Sequence, residues 1–411
     1  MIAAAPSPPA QLETVVKYAI VVPDGMADHP IQRLGGRTPL EAAAKPHMDR
    51  LAREGRLGLV SHTPKGLAPG SDVALLSVLG YDPTQGYTGR APLEAASLGI
   101  DLQPGEVAIR CNLVTADDDT LADHSAGHIS TQEAAVLVGL LNEKLGTEAI
   151  HFYPGVGYRH LLVYRGPKPI RAECTPPHDI LDQSIAKHLP RGQGAEILVD
   201  LMKRSRDILG PTDINDVRVD LGQNPANMIW LWGSGTRPQF KSFQDTYGLR
   251  AAVVAAVDLV RGIAVSLGMD VLTVEGATGY VQTNFAGKGR AAVETLRDHD
   301  LVFVHIEAPD EAGHQGDIQA KVDAIEAIDQ HIVGPLADAL ATMGDHRLLV
   351  LPDHPTPIAL RTHVAEPVPF AYGGTGVGDP SRRLYTEANA AETGLRIDPG
   401  YRLMGIFLGM E

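Results

Sequence analysis

The segment LVFVHIEAPDEAGHQGD, residues 301–317, decides the fold, because an apolar run of strand length ends abruptly in polar residues. The same arrangement recurs in YAIVVPDG (residues 18–25), in MIWLWGSG (228–235) and in RLLVLPDH (347–354). These runs are continuously apolar rather than alternating, which is typical of strands buried on both faces. Most of them precede helical patterns. The sequence therefore predicts an α/β fold with a mostly parallel sheet core flanked by helices.

Candidate ligands lie just after these strands. Asp24, Asp310, Asp353 and His354 each follow a predicted strand, and sites in parallel sheets form at the carboxyl ends of the strands. Asp310 and His314 are four residues apart, so a helix would bring both to one face. An isolated pair of this kind is more often a surface ion pair. Its position at a strand end is what favours a metal site.

The dipeptide Asp353-His354 lies between Pro352 and Pro355, which favour a fixed loop over a regular helix or strand. A loop can turn both side chains to one side, whereas adjacent residues of a regular strand point to opposite faces. His363, in RTHVAEP, is a lone loop histidine, and most such residues are structural or solvated. We include it as a candidate ligand because other candidate ligands, Asp353 and His354, lie nearby in the sequence.

Ser71 follows Pro69-Gly70 and precedes the apolar, helix-like VALLSVLG. It therefore lies at a predicted helix N-terminus, where serine is a common capping residue. The same position suits a nucleophile, because free N–H groups and the helix dipole favour an alkoxide and an incoming phosphate there. Both interpretations stay open from the sequence.

Three carboxylates, three imidazoles and one hydroxyl make up the candidate set: Asp24, Ser71, Asp310, His314, Asp353, His354 and His363. If they converge, they could hold two divalent ions beside a phosphoryl-accepting serine. Such a protein would be an enzyme of phosphoryl transfer or of phosphate esters. Mixed oxygen and imidazole ligands suit Mn²⁺ or Zn²⁺ better than Ca²⁺. We expect Mn²⁺, with Zn²⁺, Co²⁺ and Mg²⁺ as open alternatives.

Composition narrows the function classes. The 411 residues include 35 Lys and Arg against 50 Asp and Glu, for a net charge of −15. That balance argues against nucleic-acid and membrane partners, whereas a bound metal can still attract an anionic substrate. Two cysteines, Cys111 and Cys174, predict reduced thiols in a cytoplasmic protein. Residues 1–16 are interpreted as a flexible leader, and the apolar segment 251–265 as a buried helix.

Residues 104–222 differ from the rest of the chain. TQEAAVLVGLLNEKL predicts a helix, and HFYPGVGYRHLLVYRG predicts an antiparallel hairpin. We interpret this part as an inserted α+β domain, with residues 17–103 and 223–411 as the metal-binding core. Cations in the insertion and the core would bind a substrate carboxylate and phosphate, although singly each is more often solvated. The candidates are His128, Arg159, His160, His178, Arg237 and Lys288.

A series of linked motifs resembles a known family. The motifs include VVPDGMAD, TPLEAAAKPHMDRLA, CNLVT, SAGHI, YRHLLV, PDEAGHQGD and LPDHPTP, in this order. Together they resemble the archaeal-type cofactor-independent phosphoglycerate mutases of the alkaline phosphatase superfamily. The resemblance runs from about residue 17 to the last residue. It implies an alkaline-phosphatase-like core with an inserted lid domain that holds the substrate.

The resemblance also implies residue roles. Asp24, Ser71, Asp353 and His354 match the ligands of one metal, and Asp310, His314 and His363 match those of the other. Ser71 matches the nucleophile that takes the phosphoryl group from 3-phosphoglycerate and returns it to O2 of the glycerate. The implied protein is a cytoplasmic glycolytic and gluconeogenic isomerase that needs no 2,3-bisphosphoglycerate. Its partner is a small-molecule substrate, and a homo-oligomer stays open.

Three other functions stay open on the same residues. A phosphatase or phosphodiesterase would release free phosphate instead of isomerising the substrate. A homoserine-kinase-like phosphotransferase would pass a nucleotide phosphate to another acceptor. A binding protein that had lost the chemistry is disfavoured, because all seven candidate ligands are present.

Overall fold

A computed structural model describes residues 16–411 of the chain, so the predicted leader falls outside the described residues except for its last position. The chain divides into two compact units. The first consists of the described residues up to Pro83, together with Ser242–Val257 and Gly268–Glu411. The second consists of Thr84–Lys241 and Asp258–Leu267.

The strands and helices alternate along much of the chain. The strands are β1 (Lys17–Pro23), β2 (Arg56–Val60), β3 (Val107–Asp117), β4 (Thr120–Asp123), β5 (Ile150–Tyr153), β6 (Arg159–Tyr164), β7 (Arg171–Glu173), β8 (Arg191–Gln193), β9 (Met228–Thr236), β10 (Ala251–Val254), β11 (Asp270–Leu272), β12 (Leu301–Ile306), β13 (His346–Val350), β14 (Val368–Gly374) and β15 (Arg396–Ile397). The α-helices are α1 (Pro39–Ala42), α2 (Pro46–Glu54), α3 (Ser71–Val78), α4 (Pro83–Gly86), α5 (Arg90–Ser97), α6 (Thr131–Leu145), α7 (Ile185–His188), α8 (Ala195–Leu209), α9 (Asp213–Asp220), α10 (Phe243–Tyr247), α11 (Asp258–Ser266), α12 (Phe285–Thr295), α13 (Ala308–Gln315), α14 (Ile318–Ile328), α15 (Gly334–Thr342), α16 (Glu387–Glu392) and α17 (Arg402–Leu408).

The first unit is built on an eight-stranded sheet with the order β11-β10-β12-β1-β13-β14-β2-β15. The five strands from β11 to β13 run parallel to one another, and β14 is antiparallel to both of its neighbours. Every residue of β12 is buried, as are all residues of β1 except the first. The mostly parallel α/β core is therefore confirmed, and the buried runs fill both faces of its centre.

Helices cover this sheet with apolar side chains. Ala19 and Val21 of β1 belong to one core cluster with Ile325 of α14 and Leu336 of α15. Val302 of β12 joins the same cluster. Because alternate strand residues share a face, the packing of these positions fixes one side of the sheet against the helices.

The second unit is built on an antiparallel sheet. β3 pairs with β4, β6 and β9, and β5 pairs with β6, all antiparallel. The predicted helix is confirmed as α6, which begins with a capping box formed by Ser130 and Glu133. The predicted hairpin is confirmed as β5 and β6. The α+β character of this unit therefore follows the sequence expectation.

The segment MIWLWGSG departs from its prediction as a parallel core strand. It forms most of β9, which pairs antiparallel with β3 in the second unit. β9 packs against both α5 and α8, and its first five residues are buried. Continuous apolarity indicates that both faces of a strand are buried. An antiparallel strand packed against helices, such as β9, shows the same pattern as a parallel core strand.

The second unit is also larger than the predicted insertion at residues 104–222. It takes in α5, because this helix packs against β3, β9 and α11, and it takes in β9 through the pairing with β3. The apolar segment 251–265 is not one buried helix. It divides into β10, in the first unit, and α11, in the second. Within residues 16–411, no helix has the length and apolarity required to cross a membrane.

Candidate metal centre

Three neighbouring strands bring the candidate ligands to one edge of the first unit's sheet. β1 lies between β12 and β13 and is parallel to both. Asp24 follows β1 directly, and Asp310 lies in the first turn of α13 after β12. Asp353 and His354 follow β13 in a loop. These positions agree with the strand-end placement that the sequence predicts.

The first group of ligands surrounds the Nε2 atom of His354. This nitrogen lies 3.1 Å from Oγ of Ser71, 3.4 Å from Oδ2 of Asp353 and 3.5 Å from Oδ1 of Asp24. Ligand atoms that share one ion at about 2.1 Å are separated by roughly 3.0 Å in an octahedral and 3.4 Å in a tetrahedral arrangement. The spacing of the four atoms therefore fits a common divalent ion.

The second group surrounds Asp310. Its Oδ2 lies 3.2 Å from Nε2 of His314, and its Oδ1 lies 3.5 Å from Nε2 of His363. The two imidazole nitrogens are 3.0 Å apart. The helical face shared by Asp310 and His314 is present in α13, and the lone loop histidine joins them. The structure thus brings all three residues to one point.

The two groups adjoin each other. The rings of His354 and His363 lie 4.0 Å apart between centroids, with an interplanar angle of 34°. Thr356 lies between the groups, since its hydroxyl donates to Asp310 and is 3.3 Å from Nδ1 of His354. All seven predicted ligands therefore belong to one cluster. Thr356, which was not predicted, fixes the orientation of a carboxylate and an imidazole within it.

Several acceptors of this cluster have no hydrogen-bond donor. Both carboxylate oxygens of Asp24 and Oδ2 of Asp353 are buried without a hydrogen bond to any residue that the structure describes. Buried carboxylates without donors are strongly unfavourable unless a cation offsets their charge. The donor set of carboxylates, imidazoles and a hydroxyl therefore fits divalent metal ions.

Electrostatic effects within the cluster agree with that requirement. Burial raises the pKa of Asp24 well above its usual range, and the charges of Asp353 and Glu307 raise it further. Burial acts to raise the pKa of Asp310 too, but contacts with its two histidines hold that pKa well below its usual range. The contact with Asp310 raises the pKa of His314 to about 9. Positive charge is thus favoured at the centre of the cluster.

Ser71 is the first residue of α3 and not its capping residue. The N-cap is Gly70, and no side chain caps this helix. The hydroxyl of Ser71 is directed to His354. The capping interpretation of Ser71 is therefore wrong, and its side chain contacts the ligand cluster instead.

Gly25 allows the close approach of the loops that carry the ligands. Its φ is +61°, in the region that favours glycine. A Cβ atom at this position would lie 2.6 Å from Oδ1 of Asp310 and 2.6 Å from Oγ1 of Thr356. The N–H of Gly25 donates to Oδ1 of Asp353 at 3.3 Å. A side chain here would therefore displace a ligand.

A buried ion pair links two of the loops that carry the candidate ligands. Nζ of Lys321, in α14, donates to Oδ2 of Asp28 at 2.8 Å and to the carbonyl oxygen of Thr356 at 2.9 Å. Both side chains of the pair are almost fully buried. The pair joins the loop after β1 to the loop after β13. Lys321 was not identified from the sequence. A lysine at an apolar position of a helix was the signal that could have identified it.

Two further residues of the centre were missed in the sequence. His305 and Glu307 lie at the end of β12, with Nε2 of His305 3.1 Å from Oδ2 of Asp24 and Nδ1 3.5 Å from Oε2 of Glu307. Residues two apart on a strand share a face. The pattern His-x-Glu at the end of an apolar run was therefore the signal that could have identified them.

The second unit contains a separate cluster of cationic and aromatic side chains. The guanidinium of Arg110 lies over the Trp232 ring, 4.1 Å from its centroid, and Nε donates to Glu94 at 2.9 Å. The His178 ring meets the same Trp232 ring edge-on at 5.5 Å and lies 6.3 Å from the His124 ring. Burial lowers the pKa of His178, although Asp179 opposes this effect. We call these five residues, Arg110, Trp232, Glu94, His178 and His124, the aromatic–cation cluster.

Four predicted substrate-binding residues are exposed in the second unit. Arg159 has its guanidinium 5.6 Å from the Tyr158 ring centroid, and Arg237 forms a 3.0 Å ion pair with Asp101. His128 is exposed and has a φ of +51°. His178 is exposed as well and belongs to the aromatic–cation cluster.

Two predicted substrate-binding residues are buried. Lys288, in the first unit, is 1% exposed, and its ammonium donates to the carbonyl oxygen of His305 at 3.0 Å. Burial lowers its pKa to about 8, although Glu307 opposes this effect. His160 is 2% exposed and accepts a hydrogen bond from the N–H of Gly155. Neither side chain presents a solvent-facing cation, so direct substrate contact by these two residues stays a prediction.

Comparison with known proteins adds an independent finding. Residues 52–215 match the family model described as 2,3-bisphosphoglycerate-independent phosphoglycerate mutase. A probable mutase of this name from Geobacter sulfurreducens is 50% identical, with 96% of this chain and 100% of the relative covered. The mutase from Methanothrix thermoacetophila is also 50% identical, over the same shares of both chains.

Two solved structures share the fold over nearly the whole chain. A protein from Pyrococcus horikoshii is 31% identical with a TM-score of 0.80, covering 96% of this chain and 98% of the other. The cofactor-independent phosphoglycerate mutase from Thermoplasma acidophilum is 29% identical with a TM-score of 0.66, covering 96% and 99%.

Proposed function

The chain belongs to the 2,3-bisphosphoglycerate-independent phosphoglycerate mutase family, and we propose that it interconverts 3-phosphoglycerate and 2-phosphoglycerate through a phosphoserine at Ser71. This membership confirms the family predicted from the linked motifs. One observation carries the proposed mechanism. Ser71 Oγ lies 3.1 Å from His354 in a buried cluster where both carboxylate oxygens of Asp24 and Oδ2 of Asp353 have no hydrogen-bond donor among residues 16–411.

We propose that two divalent ions occupy this cluster. Asp24, Ser71, Asp353 and His354 would hold one ion, and Asp310, His314 and His363 would hold the other. When bound, the ions supply positive charge that favours the serine alkoxide and offsets the charge of the phosphoryl group. Mn²⁺ is the ion that we propose, since the ligands mix imidazoles with carboxylates.

The proposed reaction has two half-steps at Ser71. In the first, Oγ attacks the phosphorus of 3-phosphoglycerate, the O3–P bond breaks, and the proton lost by Ser71 is balanced by the proton gained at O3 of the glycerate. In the second, O2 of the reoriented glycerate attacks the phosphorus of the phosphoserine, the Oγ–P bond breaks, and the proton lost by the O2 hydroxyl is balanced by the proton gained at Oγ. The position of Ser71 at the start of α3 supports this role, because the helix dipole favours negative charge there.

The exposed cations of the second unit are the proposed partners of the substrate's carboxylate. We propose Arg159, His128, His178 and Arg237 for this role. Arg159 and Arg237 can each form two parallel hydrogen bonds to a carboxylate. Lys288 and His160 are left out of the set because both side chains are buried.

The cellular setting follows from the proposed reaction. We propose a step of glycolysis and gluconeogenesis in the cytoplasm. Two free cysteines, Cys111 and Cys174, support a reducing compartment. Burial raises the pKa of both thiols, which makes them unreactive.

An isomerase assay tests the proposal. The Mn²⁺-loaded protein is incubated with 3-phosphoglycerate and no 2,3-bisphosphoglycerate, and both 2-phosphoglycerate and free phosphate are measured. We expect 2-phosphoglycerate to form with little free phosphate. Release of phosphate without isomerisation would identify a phosphatase, and the absence of both products would contradict the proposed chemistry.

A further inference from the structure

Arg361 has an unusual backbone conformation beside the second group of ligands. Its φ is +57°, in the left-handed region that few residues other than glycine, asparagine and aspartate adopt. Its N–H donates to the carbonyl oxygen of Pro357 at 2.8 Å, which closes a turn. Strained residues of this kind are concentrated at functional sites. Since His363 follows two residues later, the strain lies at the proposed second metal site.

The carbonyl group of Arg361 contacts the other histidine of this group. Its oxygen lies 3.0 Å from Nδ1 of His314. A carbonyl oxygen can only accept a hydrogen bond, so Nδ1 carries the proton in the neutral ring. Nε2 then keeps its lone pair, and this atom lies 3.2 Å from Oδ2 of Asp310 and 3.0 Å from Nε2 of His363. The contact therefore selects the tautomer of His314 that can bind a metal.

The exposed side chain of Arg361 has a separate contact with α13, the helix that carries Asp310 and His314. A Cβ atom at Gly316 would lie 2.6 Å from Nε of Arg361, so the guanidinium packs against the backbone of Gly316. Gly316 is the C-cap of α13, and positive charge is favoured at the C-terminal end of a helix. The side chain thus joins Arg361 to the same helix whose histidine its carbonyl group holds.

We propose that Arg361 is a positioning residue of the second metal site and that it acts through its backbone. The left-handed conformation directs the carbonyl group to Nδ1 of His314 and turns the chain toward His363. One residue thereby sets both imidazoles of the site. A hydrogen bond to the second nitrogen of a ligating histidine orients the ring, and its loss lowers metal affinity. This inference rests on the proposed two-metal centre and identifies a residue that supports one of its two ions.

Calorimetric titration of the full-length, metal-free protein with Mn²⁺ tests the proposal without an activity assay. We expect the wild type to bind two ions. His363→Gln, which removes a ligand of the second site, identifies the binding step that belongs to that site. Arg361→Val places a β-branched side chain in a conformation that such residues avoid. This variant should weaken the same binding step about 10–100-fold and leave the other step unchanged.

Two further variants separate the backbone of Arg361 from its side chain. Glycine and asparagine both tolerate a positive φ, and both lack the guanidinium. Because the carbonyl group can then keep its direction, Arg361→Gly and Arg361→Asn should bind Mn²⁺ at both sites as the wild type does. This rescue distinguishes a role of the backbone from a role of the charge.

The matched control is Arg382→Val. Arg382 lies in the same unit, is exposed and has a φ of +59°. Its N–H donates to the carbonyl oxygen of Arg53, which is not a candidate ligand. The valine should therefore strain the backbone as it does at position 361, but both binding steps should be kept. Thermal melts followed by circular dichroism show that each variant folds and compare their stabilities.

Every other result overturns the proposal in a definite way. Unchanged Mn²⁺ binding in Arg361→Val would exclude the role of Arg361 and leave the two-metal centre intact. Equal weakening in Arg361→Gly would assign the effect to the guanidinium, and equal weakening in Arg382→Val would assign it to lost stability. No Mn²⁺ binding by the wild type would overturn the metal centre together with this inference. If Arg361→Val does not fold, Arg361→Thr, with a smaller β-branched side chain, takes its place.

Discussion

The metal centre of the first unit and the aromatic–cation cluster of the second unit differ in how their charged groups are paired. At the metal centre, buried acceptors such as Oδ1 and Oδ2 of Asp24 lack donors within residues 16–411. In the aromatic–cation cluster, Arg110 and two histidines surround one tryptophan and a single carboxylate. The first cluster therefore needs cations, whereas in the second the guanidinium of Arg110 already has a carboxylate partner in Glu94.

The metal ligands and the proposed substrate cations lie on different kinds of scaffold. The ligands of the metal centre follow adjacent parallel strands and the loops that Lys321 joins, so their positions are fixed by the sheet. The proposed substrate cations Arg159 and His128 are exposed side chains of an antiparallel unit. We therefore expect substitutions at the metal centre to abolish turnover and substitutions of the exposed cations to weaken substrate affinity.

The largest expected effect comes from removing the nucleophile. Ser71→Ala should reduce isomerisation by about four orders of magnitude or more, as loss of a covalent nucleophile does in other enzymes. Steady-state assays of 2-phosphoglycerate formation measure this. Ser242→Ala, which removes a helix-capping hydroxyl elsewhere in the first unit, should retain activity. Wild-type turnover in Ser71→Ala would remove the phosphoserine from the mechanism.

The second largest effect is expected from breaking the buried ion pair between Lys321 and Asp28, which should lower the free energy of unfolding. Lys321→Met leaves the carboxylate of Asp28 buried without its partner, and breaking such a pair costs about 3–5 kcal/mol of unfolding free energy. Urea denaturation measures this loss. Arg402→Met, which breaks an exposed pair with Glu411, should cost at most about 1 kcal/mol. Equal losses in the two variants would contradict the role of the buried pair.

The effect of Asp24→Asn on the melting temperature should change sign between metal-free and metal-loaded protein. In metal-free protein, Asp24→Asn removes a carboxyl group whose ionisation is opposed first by burial and then by the charges of Asp353 and Glu307, so the variant should melt at a higher temperature than the wild type. With Mn²⁺ at about a hundredfold over its dissociation constant, the wild type should gain about 2.7 kcal/mol per tightly bound ion. The variant should gain less. Thermal melts with chelator and with Mn²⁺ would reveal this crossover, and its absence would argue against a metal-binding Asp24.

The smallest expected effect belongs to the second unit. Arg159→Ala should raise KM for 3-phosphoglycerate about tenfold, equivalent to the loss of roughly 1.4 kcal/mol of binding. The value of kcat should change much less. Arg204→Ala, which removes an exposed arginine paired with Asp200 in α8, is the control and should leave KM unchanged. A large fall in kcat for Arg159→Ala would contradict the distinction between the metal centre, whose loss abolishes turnover, and the exposed cations, whose loss weakens substrate affinity.

Much of the metal centre could be predicted because its ligands follow apolar strands. Asp24, Asp310 and Asp353 stand out as polar residues at the ends of buried runs, and the sheet gathers them. His305 and Glu307 did not stand out, since they lie within or directly after the last residues of one such run. Lys321 was missed because its burial depends on Asp28, almost three hundred residues away in the chain.

The second unit was harder to delimit for a related reason. Residues 228–232 are continuously apolar, and this sequence pattern indicates only that both faces of the strand are buried. Whether a parallel or an antiparallel neighbour lies alongside is decided by β3, which is distant in the chain. The substrate-binding residues were also uncertain, because nothing local distinguishes the buried Lys288 and His160 from exposed cations such as Arg159.

Gly25 has a consequence for anyone who redesigns this scaffold. Gly25 and Gly35 both have a positive φ, but a Cβ at Gly35 meets no described atom within 4 Å, whereas one at Gly25 collides with Asp310 and Thr356. Asparagine, which tolerates that backbone conformation, is a reasonable replacement at Gly35. A library aimed at a new metal or a new acceptor can therefore vary the ligands themselves, but should keep position 25 constant.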